Sequence, residues 1–94
     1  MKVIVKSFAN IRDVLGTGEL LLDVAAGTTI GGLFVCLTER YGAAFDRQIR
    51  DQMSGDIVPF LVMINETVYR TTTDLGVSLT DGDAVTVMIP FDGG

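Results

Sequence analysis

The residues of this chain that could take part in chemistry are few, and the most unusual pair is Gly93-Gly94 at the last two positions. Glycine makes up about 7% of residues in ordinary proteins, so a chance pair there is uncommon. A carboxylate resists nucleophiles because it is charged, but as an acyl adenylate it can be attacked by sulfur or amines. Glycines beside it fit a narrow channel and accept any backbone conformation. The pair therefore predicts a protein that is itself a substrate, activated at Gly94.

The other reactive side chains do not form a catalytic set. The sequence has no histidine and a single cysteine, Cys36, so a thiolate-imidazole pair, a histidine-containing zinc site and an internal disulfide are excluded. Cys36 falls in the middle of a predicted helix, where a cysteine usually acts as a small hydrophobic residue. These features argue against an enzyme that works alone.

The glycine-rich and acidic segments do not match known phosphate or metal motifs. Gly16-Thr17-Gly18 begins a dinucleotide fingerprint, but Leu21 stands where the third glycine would be needed. Residues 27–32 lack the lysine of a phosphate-binding loop. Asp81-Gly82-Asp83 fits a tight turn better than a twelve-residue calcium loop. We expect no bound cofactor and no metal.

Composition limits the class of protein. The 94 residues are 48% hydrophobic and 20% charged, which suits one folded domain over residues 1–94. A net charge of -5, with only seven scattered lysines and arginines, argues against nucleic acid as a partner. The N-terminal residues are unlike a secretory signal, and no apolar run approaches the length of a membrane span. A cytoplasmic protein without a membrane partner is the expectation.

Apolar periodicity predicts the elements that must position Gly94. Five strands and one main helix are expected, the strands over Lys2–Phe8, Glu19–Val24, Phe60–Ile64, Thr67–Arg70 and Ala84–Ile89. The helix begins after Gly27-Thr28-Thr29 and stops at Gly42, with one apolar face of Ile30, Leu33, Phe34, Leu37 and Tyr41. Residues 43–57 are expected to hold a short amphipathic helical piece with Phe45, Ile49 and Met53 on one side.

This order of elements predicts an α+β fold. One helix can cover one face of a mixed, mostly antiparallel sheet, which leaves the other face to solvent or to a partner. Strand alternation assigns Ile4, Phe8, Thr86 and Met88 to that second face. An apolar patch there would mark a contact surface, although isolated apolar residues on a surface are also ordinary.

Several short segments resemble one family when they are taken in order along nearly the whole chain. They are Phe8-Ala9-Asn10-Ile11-Arg12-Asp13 with Leu15-Gly16, Gly27-Thr28-Thr29-Ile30, Leu37 with Glu39-Arg40-Tyr41, the strand end 62–65, Leu79-Thr80-Asp81-Gly82-Asp83 and Gly93-Gly94. The chain resembles the small sulfur-carrier proteins of the MoaD/ThiS group, most nearly the small subunit of molybdopterin synthase. The resemblance implies the ubiquitin-like β-grasp fold.

The resemblance also implies a reaction and partners. An E1-like activating enzyme would use ATP to adenylate Gly94, and a sulfurtransferase would supply sulfur to give a thiocarboxylate. The tail, with Gly93, would then enter the large subunit of molybdopterin synthase or an equivalent acceptor enzyme, so this chain would be a non-catalytic sulfur-donor subunit. Ile4, Phe8, Met88 and Phe91 are the expected partner-binding residues.

Other functions fit the same residues. A sulfur carrier could serve thiamine or cysteine biosynthesis instead of molybdenum or tungsten cofactor synthesis. A ubiquitin-like modifier would end with Gly94 joined to a lysine amine on another protein. A third alternative is a passive interaction domain in which the two glycines have no role.

Overall fold

The strands form one five-stranded sheet, and the helices pack on one of its faces. The computed structural model describes residues 1–7 and 9–88. Within these ranges the elements are β1 (Lys2–Lys6), α1 (Ala9–Leu15), β2 (Glu19–Asp23), α2 (Ile30–Tyr41), α3 (Ala43–Ile49), β3 (Leu61–Ile64), β4 (Thr67–Arg70) and β5 (Ala84–Met88). The predicted α+β architecture is confirmed.

The sheet is mixed, with the strand order β2-β1-β5-β3-β4. The first and last strands of the chain, β1 and β5, lie side by side and run parallel. The other three pairs, β1 with β2, β3 with β5 and β3 with β4, are antiparallel. This topology places the last strand in the centre of the sheet, where it has a hydrogen-bonded neighbour on each side.

The main helix α2 begins and ends where the sequence predicts. The Thr29 hydroxyl accepts a hydrogen bond from the N–H of Gly32 at 3.1 Å, and Gly42 ends the helix with a φ of 67°. Its buried face consists of Ile30, Leu33, Phe34 and Leu37, while Tyr41 is half-buried. The Phe34 ring lies 5.5 Å from Phe60 between centroids, which joins the helix to the start of β3.

The helix α1 is a correction, since the sequence predicts one main helix and no helix between the first two strands. Val14 and Leu15 at its end contribute to the core, and the N–H of Gly16 bonds to the carbonyl of Arg12 at 2.9 Å. Seven residues are too few for the apolar period to identify a helix, and the core contacts stabilise it instead. In the described part of the chain no helix is long and apolar enough to cross a membrane.

The segment after α2 follows the prediction in part. Phe45 and Ile49 of α3 are completely buried, as expected from their spacing, but Met53 is 99% exposed, so its assignment to the same apolar side was wrong. Residues 50–56 form a loop instead of a further helical turn, because the Asp51 carboxylate accepts hydrogen bonds from the N–H groups of Met53 and Ser54. The half-buried Cys36 packs against the core as a small hydrophobic residue.

Candidate functional site

The sheet face that the helices do not cover is the first part of the candidate site, and we call it the open face. Strand register defines it, because Val3, Val5, Val62, Val85 and Val87 are buried beneath the helices and their neighbours along the strands point the other way. The open face therefore carries a continuous set of side chains across all five strands: Glu19, Leu21, Ile4, Lys6, Ala84, Thr86, Met88, Leu61, Met63, Val68 and Arg70.

The open face carries exposed apolar side chains on both edge strands and on β3, with the charged residues Glu19, Lys6 and Arg70 on the same face. Leu21 is 61% exposed, Val68 52% and Leu61 41%, which are high fractions for large apolar side chains of a small domain. Ile4 and Met88 are half-buried on the same face. Exposed apolar side chains on several strands of one face are typical of a protein contact surface.

The residues proposed for this surface from sequence have three different outcomes. Ile4 and Met88 lie on the open face, yet Ile4 pairs with Ala84 at the opposite end of β5 from Met88, so these two side chains do not adjoin. Thr86 also points to this face but is buried, because Lys6 and Met63 flank it in register. Phe8, Phe91, Gly93 and Gly94 lie outside the described residues, and their roles stay predictions.

Sequence reasoning missed the more exposed members of the open face. Leu61 could have been found, because alternation with the buried pair Phe60 and Val62 already places it on the other side. Leu21 could not, since it stands in a run of three leucines for which either register buries a leucine. Only the pairing of Leu21 with Ile4 assigns it to the open face.

The beginning of β5 is held by a cluster of hydrogen bonds around Asp83. Its carboxylate accepts from the Thr80 N–H at 2.8 Å, the Thr80 hydroxyl at 2.9 Å and the Asn65 side-chain amide at 3.0 Å. The Asn65 side-chain oxygen in turn accepts from the Ala84 N–H at 3.1 Å. Gly82 turns the chain with a φ of 86°, which glycine adopts without strain. The turn before β5 and the turn after β3 are thus tied together.

These contacts also set the acidity of Asp83. Burial by itself would raise the pKa of this carboxyl, but the hydrogen bonds from the Thr80 N–H, the Thr80 hydroxyl and the Asn65 amide outweigh it and lower the pKa below its ordinary value. Asp83 is therefore ionised at neutral pH, and this carboxylate acts as a structural acceptor. The tight turn predicted at residues 81–83 therefore explains why aspartates stand at positions 81 and 83: both carboxylates accept hydrogen bonds around it.

The other end of β5 leads towards Gly94. Met88 pairs with Leu61, which in turn pairs with Arg70 on the edge strand β4. Because β1 runs parallel to β5, its C-terminal end lies at the same end of the sheet as Met88. There the buried Ser7 hydroxyl donates to the carbonyl of Thr17 at 3.0 Å. The six residues 89–94 follow directly from Met88. The last described residue before the glycine pair, Met88, thus lies on the open face at the end of a central strand.

Solved structures with the same architecture define the class of protein. The small archaeal modifier protein 1 of Haloferax volcanii matches with a TM-score of 0.80 and 22% identity over 100% of both chains. The solution structure of small archaeal modifier protein 1 from Methanosarcina acetivorans matches with a TM-score of 0.72 and 28% identity, over 99% of this chain and 96% of that one. A putative molybdopterin converting factor, subunit 1, from Pyrococcus furiosus matches with a TM-score of 0.73 and 23% identity, over 96% and 98%.

The fold is therefore the ubiquitin-like β-grasp of sulfur carriers and protein modifiers, as the sequence predicted. The chain belongs to the ThiS family, whose model matches residues 5–94. A search among curated proteins gave no significant match.

Proposed function

We propose that this protein is a sulfur carrier whose Gly94 carboxylate is adenylated and then converted to a thiocarboxylate. The observation that carries the proposal is the extent of the family match, which runs from residue 5 through the glycine pair to residue 94. The fold supports it, because β5, the strand that directly precedes residues 89–94 in the sequence, is central in the sheet.

The chemistry needs an activating enzyme and a sulfur donor. A Gly94 carboxylate oxygen attacks the α-phosphorus of ATP, and pyrophosphate leaves. A persulfide carried by a sulfurtransferase then attacks the acyl carbon and displaces AMP, and a thiol cleaves the resulting sulfur-sulfur bond to leave the thiocarboxylate. The role of this chain is to present the carboxylate, and ATP binds to the E1-like activating enzyme.

The open face has a place in this function because the tail is short. Six residues extend at most about 20 Å, so the domain must dock at the mouth of each partner's active site for Gly94 to reach inside. The exposed apolar side chains of Leu21, Leu61 and Val68 give such a partner a surface to cover. We propose that Ile4 and Met88 contribute to the same contact, together with Phe8 and Phe91.

We propose molybdopterin synthesis as the recipient pathway, with the large subunit of molybdopterin synthase as the acceptor. The order of the sequence segments and the structural likeness to a putative molybdopterin converting factor subunit support this choice. Sulfur carriers for thiamine or cysteine synthesis would use the same carboxylate chemistry. Conjugation of Gly94 to lysines is a second candidate, favoured by the 28% identity to a small archaeal modifier protein across nearly the whole chain.

Pyrophosphate exchange tests the activation step. The full chain, incubated with its activating enzyme and ATP, should support exchange of labelled pyrophosphate into ATP, and removal of Gly94 should abolish it without a change in melting temperature. Exchange that survives the deletion contradicts the proposal. Intact mass of the protein isolated from its own cells then separates the candidates: a carrier gains the mass difference between sulfur and oxygen, and a modifier appears in isopeptide-linked adducts.

A further inference from the structure

The outer edge of β2 carries main-chain groups that point away from the sheet. β2 is an edge strand paired with β1, and the neighbouring pair Met1 and Val24 exchanges two hydrogen bonds, each 2.8 Å. In an antiparallel ladder, pairs that exchange hydrogen bonds alternate with pairs that do not. The N–H and C=O groups of Glu19, Leu21 and Asp23 are therefore directed away from β1.

Hydrogen bonds within the chain close this edge at both ends of β2. The Thr17 hydroxyl accepts from the Glu19 N–H at 3.3 Å and donates to the Glu19 carbonyl at 2.9 Å. Beyond the other end, the Ala25 carbonyl accepts from the N–H of Thr28 at 3.1 Å and from its hydroxyl at 2.6 Å. Positions 19 and 25 are thus closed to another strand.

The middle of the same edge is open. The main-chain N–H and C=O groups of Leu21 and Asp23 have no hydrogen-bond partner in the part of the chain that the structure describes. Each residue offers one donor and one acceptor, so four groups are available. Unpaired groups in a row on an edge strand form a template for one further strand.

The opposite edge of the sheet, β4, is better protected. The Arg70 N–H donates to the Asp74 carboxylate at 2.9 Å, and the Arg70 carbonyl accepts from the Asp74 N–H at 2.8 Å. The hydrogen bond from the Thr71 N–H to the Phe60 carbonyl shows, by alternation, that Val68 is the other residue of β4 with outward main-chain groups. An added strand would therefore find two open groups on β4 and four on β2.

We propose that two copies of this protein pair through the outer edges of β2, antiparallel and around a two-fold axis at Leu22. In this register Leu21 of each copy pairs with Asp23 of the other, and four hydrogen bonds form. The closed positions 19 and 25 then lie opposite each other. An axis at Leu21 or at Asp23 would set a closed position against an open one. The edge is therefore its own complement in one register, which identifies a second copy as the occupant.

The side chains on both faces suit this pairing. On the helix side, the buried Leu22 of each copy lies opposite its equivalent at the axis. On the open face, the exposed Leu21 lies beside Asp23 of the second copy. The charge of Asp23 is offset within its own chain, because the Met1 ammonium lies 3.5 Å from its carboxylate and Lys2 pairs with it across β1. The pairing joins the two sheets into one.

NMR of the wild-type protein at rising concentration tests the contact. An interface of one strand pair is small and its association weak, so the amide resonances of Leu21 and Asp23 should shift as the protein approaches about 1 mM, while that of Val68 stays in place. A mixture of labelled and unlabelled protein should show a nuclear Overhauser effect between the Hα atoms of Leu22 in two copies, since Cα atoms in such a pair are about 4.5 Å apart. A protein that stays monomeric at this concentration contradicts the proposal.

Proline substitutions distinguish the two edges. Leu21→Pro removes an N–H that points away from β1, so the ladder within the domain keeps its hydrogen bonds while two of the four bonds between copies are lost. We expect sedimentation equilibrium to show a dissociation constant raised at least about tenfold. Val68→Pro removes an outward N–H of an exposed apolar residue on β4 and should leave the constant unchanged. Dissociation by Val68→Pro and not by Leu21→Pro would assign the contact to β4 and overturn the proposal.

Charge substitutions keep the test decisive if a proline disturbs the fold. Leu21→Asp sets like charges opposite each other at Asp23 of the second copy and should raise the dissociation constant about three- to tenfold, whereas Leu21→Lys should lower it by a similar factor. The same two substitutions at Val68 make the same change in net charge, and equal effects at the two positions would contradict the proposal. None of these measurements involves the activating enzyme. Pyrophosphate exchange that needs Gly94 would leave the sulfur-carrier function standing if the pairing fails.

Discussion

The two ends of β5 have opposite properties. At its beginning, the Asp83 carboxylate accepts three hydrogen bonds, the Asp83 carbonyl accepts from the Ile4 N–H at 2.8 Å, and the Gly82 N–H donates to the Lys2 carbonyl at 2.7 Å. At its end, Met88 is half-buried beside the exposed Leu61, and the glycine-terminated segment follows. One end is joined to three parts of the chain, and the other ends on the open face at Met88.

This difference suits the proposed function, in which the segment after β5 is the substrate. A strand at the edge of the sheet would have pairing on one side only, whereas β5 is paired with both β1 and β3. Contacts at its beginning and pairing on both sides hold the strand in register. The position of Met88, its last residue, is therefore fixed relative to the sheet. Substitutions at the two ends should therefore separate stability from activity.

The largest expected effect is a loss of activity at the tail end. Gly93→Val adds a β-branched side chain that widens the segment and restricts its backbone, so we expect pyrophosphate exchange to be abolished. The melting temperature should stay the same, because a terminal residue contributes little to stability. Exchange at the wild-type rate by this variant would show that the activating enzyme does not enclose the last residues.

A glycine-to-valine substitution at the beginning of β5 should instead lower stability and leave activity unchanged. Gly82→Val places a β-branched residue at a φ of 86°, where a side chain is strained even though open space surrounds the position. We expect a loss of about 1–3 kcal/mol in the free energy of unfolding, measured by urea titration. Pyrophosphate exchange per folded molecule should be unchanged, and a decrease there would mean that the beginning of β5 takes part in partner binding.

Acid should lower the free energy of unfolding, because it protonates the Asp83 carboxylate at the beginning of β5. The pKa of Asp83 is lowered in the folded state, so its contribution to stability is complete above the pKa of an unfolded aspartate and is lost as the pH falls through the lower folded value. Urea unfolding between about pH 6 and about pH 2 should therefore show a decline at the acid end. Asp83→Asn should make this decline shallower, while Asp56→Asn in an exposed loop serves as the control. Equal slopes in all three proteins would contradict the assignment.

The smallest of these effects is expected from a charge at Met88, the last residue of β5. Met88→Glu puts a carboxylate on the open face of β5, and because Val87 rather than Met88 is buried, we expect a change of less than about 1 kcal/mol in the free energy of unfolding. Its affinity for the activating enzyme should decrease, measured by calorimetric titration. Loss of the cooperative thermal transition in this variant would show that Met88 belongs to the core.

Much of the fold could be predicted from the sequence because the signals are local. The Thr29 cap, the apolar face of α2 and the Gly42 stop each depend on residues a few positions apart, so they can be read without knowledge of the rest of the chain. The alternation of β5 likewise separates the buried Val85 and Val87 from Met88. The importance of Gly93-Gly94 is a sequence inference as well.

Only the tertiary structure decided which distant residues are neighbours. Pairing of β1 with β5 sets Lys6 beside Thr86 and buries a threonine that alternation had assigned to the exposed face. The pairing of β3 with β4 brings Leu61 opposite Arg70, a juxtaposition that no local pattern encodes. The seven-residue helix α1 likewise depends on core contacts, which a short local pattern does not encode. Local propensity determines the helices and strands, but strand register and long-range burial determine which side chains share an exposed face.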